Sequence, residues 1–574
     1  MHNSITMRRV TVLSLVGIVA LALLLLFTST SHVQRAHAAP PFPTSQTLIV
    51  NSAGDQDDDV PGDGFCDTGA VFLNTCTLRA AIEEANAFAG AANIYFDPLI
   101  VGQTVHLTDN LTPILEQVNL DASFCGGAGD NCTGSGFGID GQWNGESGNS
   151  CLILDEGWLG GSRGAEGKGS IVRGLSIHNC SGHYNSDDGD PAVATELNDP
   201  TPAVNDYDNC DGDGICIQSN GNHMIGGDAG FNLNSPGPAP AGQGNILYAN
   251  ECNGLHIDEG FSSGGDTVVG NRIGTSPDGM AGWNFLGPGS NGNGCDGVHI
   301  VFNASPFAGD ITVGLPGGTG PQGFRNIIAA NDDDGIGIYG PDVRVNILNN
   351  YIGLNVTGQS FDSNTNSSLS NGDDAIEGYN EFSTHIIGNR IGGGFLNVFV
   401  QGPPVPFADS NIGISLNFGT GGHIILGNCI GFTSSCAGPA WFRDEDITLR
   451  EENALPNYIG DGTIGGRNVM GNVLNEDFGD TGIYVFDSEV HINNNYVGVA
   501  VDGASPANIV GECVLIDSDF DPYMSTVVNN VIGYCSDDGV ALRRSDNINA
   551  PTTALAGDGP RSFLVDNNKI GLEV

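Results

Sequence analysis

The sequence predicts an all-β chain wound as a right-handed parallel β-helix, a solenoid with one short capping α-helix near its N-terminus. Three observations carry this. One series of apolar pulses reads DGICI (213–217), NGLHI (253–257), DGVHI (296–300), DGIGI (334–338), DAIEG (374–378) and NIGISL (411–416). A second interleaves with it: VVGNRIG (268–274), VNILNNYIG (345–353), HIIGNRIG (385–392), HIILGNCIG (423–431), VHINNNYVG (490–498), VVNNVIG (527–533) and FLVDNNKIG (563–571). Third, a single helical stripe stands ahead of them all. Gly353, Gly392 and Gly431 are 39 residues apart, so two pulses per repeat predict a basic period of about 20 residues. Strands this short cannot sustain a sheet alone, but stacked turns bury one continuous core. A TIM barrel would need long helical periods between strands, and a sandwich has no fixed period.

The elements follow in order. MHNSITMRR, the apolar run Val10–Phe27 and Ala36-His37-Ala38 before Ala39 read as a signal peptide over 1–38. A retained membrane anchor is the alternative, because the apolar run approaches the length of a span. With the leader cleaved, no stable membrane span is expected, and the protein is secreted, extracellular or held at the cell surface. Residues 39–96 are expected to form an N-terminal cap and 97–574 the coil with its loop insertions. TLIV (47–50) and IYF (94–96) would begin the strands. Between them, TLRAAIEEANA puts Leu78, Ala81, Ile82 and Ala85 on one helix face, with Thr77 as N-cap. A solenoid's first rung exposes core and unpaired backbone, so this helix is expected to cover it. The asparagines after the strands, among them Asn349, Asn389, Asn428 and Asn494, suit turns, and their amides can bond along a stack of equivalent turns.

Composition narrows the partners. The chain has 67 acidic and 18 basic residues, a net charge of −49, and only two lysines, Lys168 and Lys569. Nucleic acid binding is excluded on that balance. Anionic polymers would be repelled unless metal ions bridge them. The 14 cysteines all follow the leader, and an even count in an exported chain points to disulfides. Cys66–Cys76 and Cys125–Cys132 are expected to pair; Cys210/Cys216 and Cys429/Cys436 are also close in sequence. None has the histidine spacing of a zinc site.

The segment GFCDTG…NTCTLRAAIEEANAFAGAANIYF (62–96) resembles the CSLREA-type N-terminal region of secreted bacterial parallel β-helix proteins. Cys76, Thr77, Leu78, Arg79, Ala81, Ile82, Ala85 and Asn86 fit that motif, while Ala80 stands where glutamate is usual. TVHLTDNLTPILEQVNLDAS (104–123) is similar to the family's next rungs, and the later units look like the parallel β-helix repeats of the pectate lyase 3-like superfamily. The resemblance implies the fold and the cap. Such repeats serve lyases, epimerases, glycosidases, tailspikes and non-catalytic surface proteins alike, so it implies no one activity.

Several residues offer chemistry. In DQDDDVPGDGFCD, six aspartates (55, 57, 58, 59, 63 and 67) surround two glycines, and Asp55, Asp57, Asp59, Asp63 and Asp67 form a candidate Ca²⁺ ligand set. A solvated acidic turn is the competing reading. DNCDGDG (208–214), NDDDG (331–335), NGDD (371–374) and SDDG (536–539) repeat paired carboxylates. A glycosidase uses such a pair, but an active site occurs once and these recur, so they read as turn formers with calcium between rungs as an option. His178, His256, His299, His385 and His423 lie in or beside strands, and His256 and His299 occupy equivalent positions; they read as a polar ladder more than as acid–base groups. Insertions at 187–214, 235–244, 275–294 and 434–460 would present loops from one side of the coil. Trp283 with Phe285, and Trp441 with Phe442, are either sugar platforms or plugs. The expected function is a non-catalytic secreted or surface protein with an adhesin-like, matrix or glycan-binding role, whose partner would be an extracellular polysaccharide or a surface glycan. The alternative is a polysaccharide-active enzyme, a lyase or a glycoside hydrolase.

Overall fold

The computed structural model describes residues 45–69, 75–88, 90–123, 136–142, 150–155, 169–181, 210, 212–218, 222–227, 244–258, 265–280, 292–301, 310–315, 325–340, 344–362, 367–393, 395–396, 407–408, 412–451, 455–474, 481–517, 524–543 and 563–571. Three parallel sheets of 14, 13 and 11 strands run side by side, here called sheets 1, 2 and 3. Successive strands visit the three sheets in turn, which is a right-handed parallel β-helix.

The turn repeats about every 39 residues, and it holds three strands where the pulses predicted two. The second pulse is a pair of strands. In VNILNNYIG, Val345–Leu348 belongs to sheet 1 and Tyr351–Ile352 to sheet 2. Asn349 between them has φ 58°, as Asn494 has 61°, Gly388 73° and Gly427 66°. A left-handed residue turns the chain sharply and ends one strand as it begins the next. The DGI series supplies sheet 3, as in Ile215–Ile217, Leu255–Asp258, Val298–Val301 and Ile336–Tyr339. Each rung turns its aliphatic residues inward. Val345, Ile347, Ile352, Ile336 and Ile338 are fully buried in one core that runs from Leu48 to Ile532.

Residues 434–460, read from sequence as an inserted loop, correct that reading. They contain Glu445–Arg450 in sheet 3 and Asn457–Ile459 in sheet 1, an ordinary rung. Its signature is missing because Asp446 stands across from Gly413 and Gly482 of the neighbouring rungs, between the pairs Ile412↔Glu445↔Thr481 and Ile414↔Ile447↔Ile483.

At the N-terminus, Ser45–Val50 pairs in parallel with Ala91–Phe96, and the helix α1 (Leu78–Ala87) packs on both strands. Thr77 caps it, accepting from Ala80 N at 3.1 Å. Leu78, Ala81, Ile82 and Ala85 enter the core as the stripe predicted. The opposite side is covered too. Arg79 donates through Nε and Nη2 to Asp55 (2.9 Å each) and to the carbonyls of Asn110 (2.6 Å) and Asp109 (2.7 Å). Glu84 accepts from Gly62 N, Gly64 N (2.8 Å) and Gln46 Nε2 (3.0 Å), and Glu83 from Asp58 N (2.8 Å). The helix is a lid that is itself wrapped by the acidic turn. Cys66–Cys76 ties that turn to the helix; closing so short a loop typically stabilises by about 2–4 kcal/mol.

Disulfides also join Cys151–Cys180, Cys210–Cys216, Cys252–Cys295, Cys429–Cys436 and Cys513–Cys535. Cys125 and Cys132 lie outside the described residues, as do the leader and the Trp283–Phe285 pair. Among the described residues, no helix is long and apolar enough to cross a membrane.

Candidate functional site

The first residue of each DGI unit sits where the chain enters sheet 3. There its side chain receives the backbone of the next rung. Asp213 Oδ1 accepts from Asn253 N, Asn253 Oδ1 from Asp296 N, Asp296 Oδ1 from Asp334 N, Asp334 Oδ1 from Asp374 N, and Asp374 Oδ1 from Ile412 N, all at 2.7–3.0 Å. The aspartates expected to be turn formers are therefore buried rung caps. Asp213, Asp296 and Asp334 are at most 2 % exposed. The residues just before them, Asp332, Asp333 and Asp373, remain exposed.

Burial pushes Asp296, Asp334 and Asp374 well above the usual carboxylate range, and neighbouring charge adds to it: Asp333 on Asp296, Glu377 on Asp334, Asp373 on Asp374. His299 Nδ1 lies 2.7 Å from Asp296 Oδ2, and burial pulls that imidazole well down. Burial thus disfavours the charged form of both partners. On the outer face, His256, His299, Gly337 and Glu377 stand in register on successive rungs. Gly337 leaves room for the Asp296 carboxylate, since a Cβ there would meet its Oδ2 at 2.3 Å. Tyr339 packs its ring 5.0 Å from His299 and donates to Glu377 Oε2 at 3.0 Å.

Here two rungs bring three carboxylates together. Oxygens of Asp333, Asp334 and Asp373 lie within 4.8 Å of one another, a group that could hold a metal ion. Hard oxygen ligands with two exposed members suit calcium or another hard divalent cation. Carboxyls this close are nearer the about 5–5.5 Å of a retaining glycosidase pair than the about 6.5–9.5 Å of an inverting one. A second group, Asp213, Cys216 and His256, is equally close. Its sulfur is bonded to Cys210, so it offers no thiolate to a soft metal.

The acidic turn is arranged differently. Asp55 is bound by Arg79 and accepts from Thr108 N and Oγ1. Asp57 is exposed and 3.7 Å from Arg79 Nε, and Asp59 is exposed. Asp63 and Asp67 each accept a backbone N–H of their own turn, from Phe65 and Gly69. The residue placed inward is Asp58. Its Oδ1 accepts from Asp67 N, while its buried Oδ2 has no partner among the described residues. Burial, with Glu84, Asp63 and Asp67 nearby, pushes Asp58 up to about 6. Nothing in the spacing of six neighbouring aspartates distinguishes it.

Of the histidines, His178 lies 3.9 Å from Asp140, and His423 is buried 3.5 Å from Glu381 with its Nδ1 accepting from Thr384 N. His385 is half-buried, 3.4 Å from Ser383 Oγ. Phe442 is a fully buried plug in the core, and Trp441 is half-buried above it. No family model, no curated protein and no solved structure matches the chain.

Proposed function

We propose that this protein is an exported, rigid β-helical rod that binds extracellular glycans and carries out no chemistry on them. The observation that supports this most is the employment of the sheet 3 carboxylates. The paired aspartates that resemble glycosidase machinery cap the backbone of rung after rung, which is the work of architecture. The leader over 1–38, the cysteine pairing and the resemblance of 62–96 to secreted CSLREA-type proteins support export, with 39–96 as the cap and 97–574 as the rod.

Calcium serves this rod as a structural ion, at Asp333–Asp334–Asp373 and in the Asp55–Asp67 turn with Asp57, Asp59, Asp63 and Asp67 as its outward ligands. A cation bound only by the folded state raises stability by mass action. Calorimetric titration of chelated protein at fixed ionic strength should show a saturable heat that Asp333→Asn with Asp373→Asn removes at the first site, and Asp57→Asn with Asp63→Asn at the second. A melting temperature that follows ionic strength alone would sink both sites.

The buried Asp296–His299 pair and the Tyr339–Glu377 pair beside the exposed carboxylates favour a second reading, a polysaccharide lyase or glycoside hydrolase. Incubation with a panel of neutral and acidic glycans separates the two. Binding without new reducing ends or unsaturated products supports the rod. Product that disappears in Asp333→Asn supports the enzyme.

A further inference from the structure

Basic residues are scarce here, and the coil sorts them. Among the described residues, Arg79 of the cap pairs with Asp55, Arg173 and Arg344 of sheet 1 pair with Asp121 and Asp310, and Arg543 of sheet 3 pairs with Glu512. Apart from Arg450 of sheet 3, which lies over the Tyr484 ring at 5.3 Å, sheet 2 gathers the rest of the described arginines without an ion pair. Arg272, Arg325, Arg390 and Arg467 follow one another along its outer face, and none forms an ion pair with a described residue.

Their placement is built. Arg272, Ile327, Tyr351 and Arg390 are in register on four successive rungs. Arg325, two residues ahead of Ile327, lays its guanidinium 3.9 Å from the centre of the Tyr351 ring and donates Nε to Asn349 O at 3.1 Å. Arg467 repeats this on Tyr496, at 4.2 Å, with Nε to Asn494 O at 3.1 Å. Arg390 is braced by carbonyls, Nε to Ser434 O (3.2 Å) and Nη1 to Asn389 O (3.0 Å). Burial, with the Arg325 charge adding to it against Tyr351, holds Arg390 below the usual guanidinium range.

Nη1 and Nη2 of Arg325 and Nη2 of Arg390 have no acceptor among the described residues. The nearby carboxylates are folded back on their own loops. Asp278 accepts from Ser276 Oγ and Met280 N, and Asp502 from Ala504 N and Ser505 N. Two like charges are thus held around one tyrosine, without a counter-ion, in a chain of net charge −49. An anion from outside would complete this arrangement, through the paired N–H fork that guanidinium presents to carboxylate or sulfate. Arg272 and Arg390 are three rungs apart, about 14 Å at the usual strand spacing, which suits a polymer of anions better than a single ion.

We propose that the outer face of sheet 2, centred on Arg325, Tyr351 and Arg390, binds the carboxylate or sulfate groups of an acidic polysaccharide. This rests on the glycan-binding reading above and names the class of glycan. The test is titration of the leader-free protein, with a chelator present, against a sulfated glycosaminoglycan, a polyuronate and a neutral glucan of similar length. Binding of one or both acidic chains is expected, weakening as salt rises, and the response of the two tells sulfate from carboxylate. Arg325→Gln with Arg390→Gln should weaken it at least tenfold, while Arg344→Gln on sheet 1 leaves it unchanged. Circular dichroism melts verify folding; if the glutamine pair unfolds, Arg325→Lys with Arg390→Lys keeps the charge and should still lose several-fold in affinity with the fork. Acidic glycans that bind no better than the neutral one, or only when calcium is restored, overturn the proposal. So does unchanged affinity in a folded glutamine variant. Neutral-glucan binding that survives in that variant would leave the glycan-binding rod standing without this site.

Discussion

Two corners of the coil solve the same problem with different side chains. Between sheets 1 and 2, asparagines 245, 271, 326, 350, 389, 428, 468, 495, 530 and 568 form a stack that is buried as far as Asn530. Each Oδ1 accepts from the preceding rung, and each Nδ2 donates to a carbonyl of that rung, as Asn389 does to Ile347 O and Asn428 to Ile386 O. At the entry to sheet 3 the stack is Asp213, Asn253, Asp296, Asp334 and Asp374. An amide both donates and accepts, so the asparagine stack satisfies itself at any pH. A carboxylate only accepts, so the aspartate stack buries charge unless it holds protons. One corner is neutral architecture; the other titrates and concentrates a negative field beside the exposed Asp333 and Asp373.

The largest effect should come from breaking the neutral corner. Asn389→Ala removes four hydrogen bonds, two from Asn350 and one each to Ile347 O and Asn428, at about 1 kcal/mol net apiece. A loss of about 4 kcal/mol in denaturant unfolding is expected, with hydrogen exchange rising first in the rungs around 345–431. A loss below about 1 kcal/mol would make the stack ornamental.

Asp446 sharpens the contrast, because its carboxyl lies in the core with neither stack to serve it. Both oxygens lack partners among the described residues, and burial alone pushes it well above the usual range. Asp446→Ala copies the small residue of the equivalent rungs, such as Ala375, and should stabilise by about 1–3 kcal/mol at neutral pH. Destabilisation would mean that the carboxyl has a partner beyond the described residues.

Near the unfolded carboxylate pKa, the smallest effect is at the titrating corner. Asp334 is raised in the folded state, so folding retains a proton that the unfolded chain releases near 3.8. Stability from this group is complete below that value and is lost as pH rises through the folded pKa. Asp334→Asn keeps the acceptor for Asp374 N and removes the titration. Its advantage over the parent should therefore grow with pH, by about 1.4 kcal/mol for each unit of displacement. Parallel stability–pH curves for the two proteins would show the corner to be electrostatically inert.

Much of the fold was legible because repetition is a property of sequence. The spacing of Gly353, Gly392 and Gly431, the Thr77-capped stripe of α1 and the close pair Cys66–Cys76 each record a local requirement. The strand count was not legible, because a single left-handed residue such as Asn349 splits what looks like one apolar pulse. The rung at Glu445–Arg450 was hidden for a similar reason, since Asp446 erases the glycine on which the repeat is recognised.

By itself, then, the sequence determined the class of fold, the cap and the asparagine turns, all of which follow from period, propensity and backbone conformation within a few neighbouring residues. Only the tertiary structure decided what the charges do. Asp58 and Asp57 are adjacent in the chain, yet one is buried and one exposed. Asp333 and Asp373 meet because they are one turn apart. Arg325 and Arg390, 65 positions apart, flank one tyrosine in a protein whose net charge would repel the anions they await. Charge acts through distance and dielectric in space, and the winding of the coil sets both.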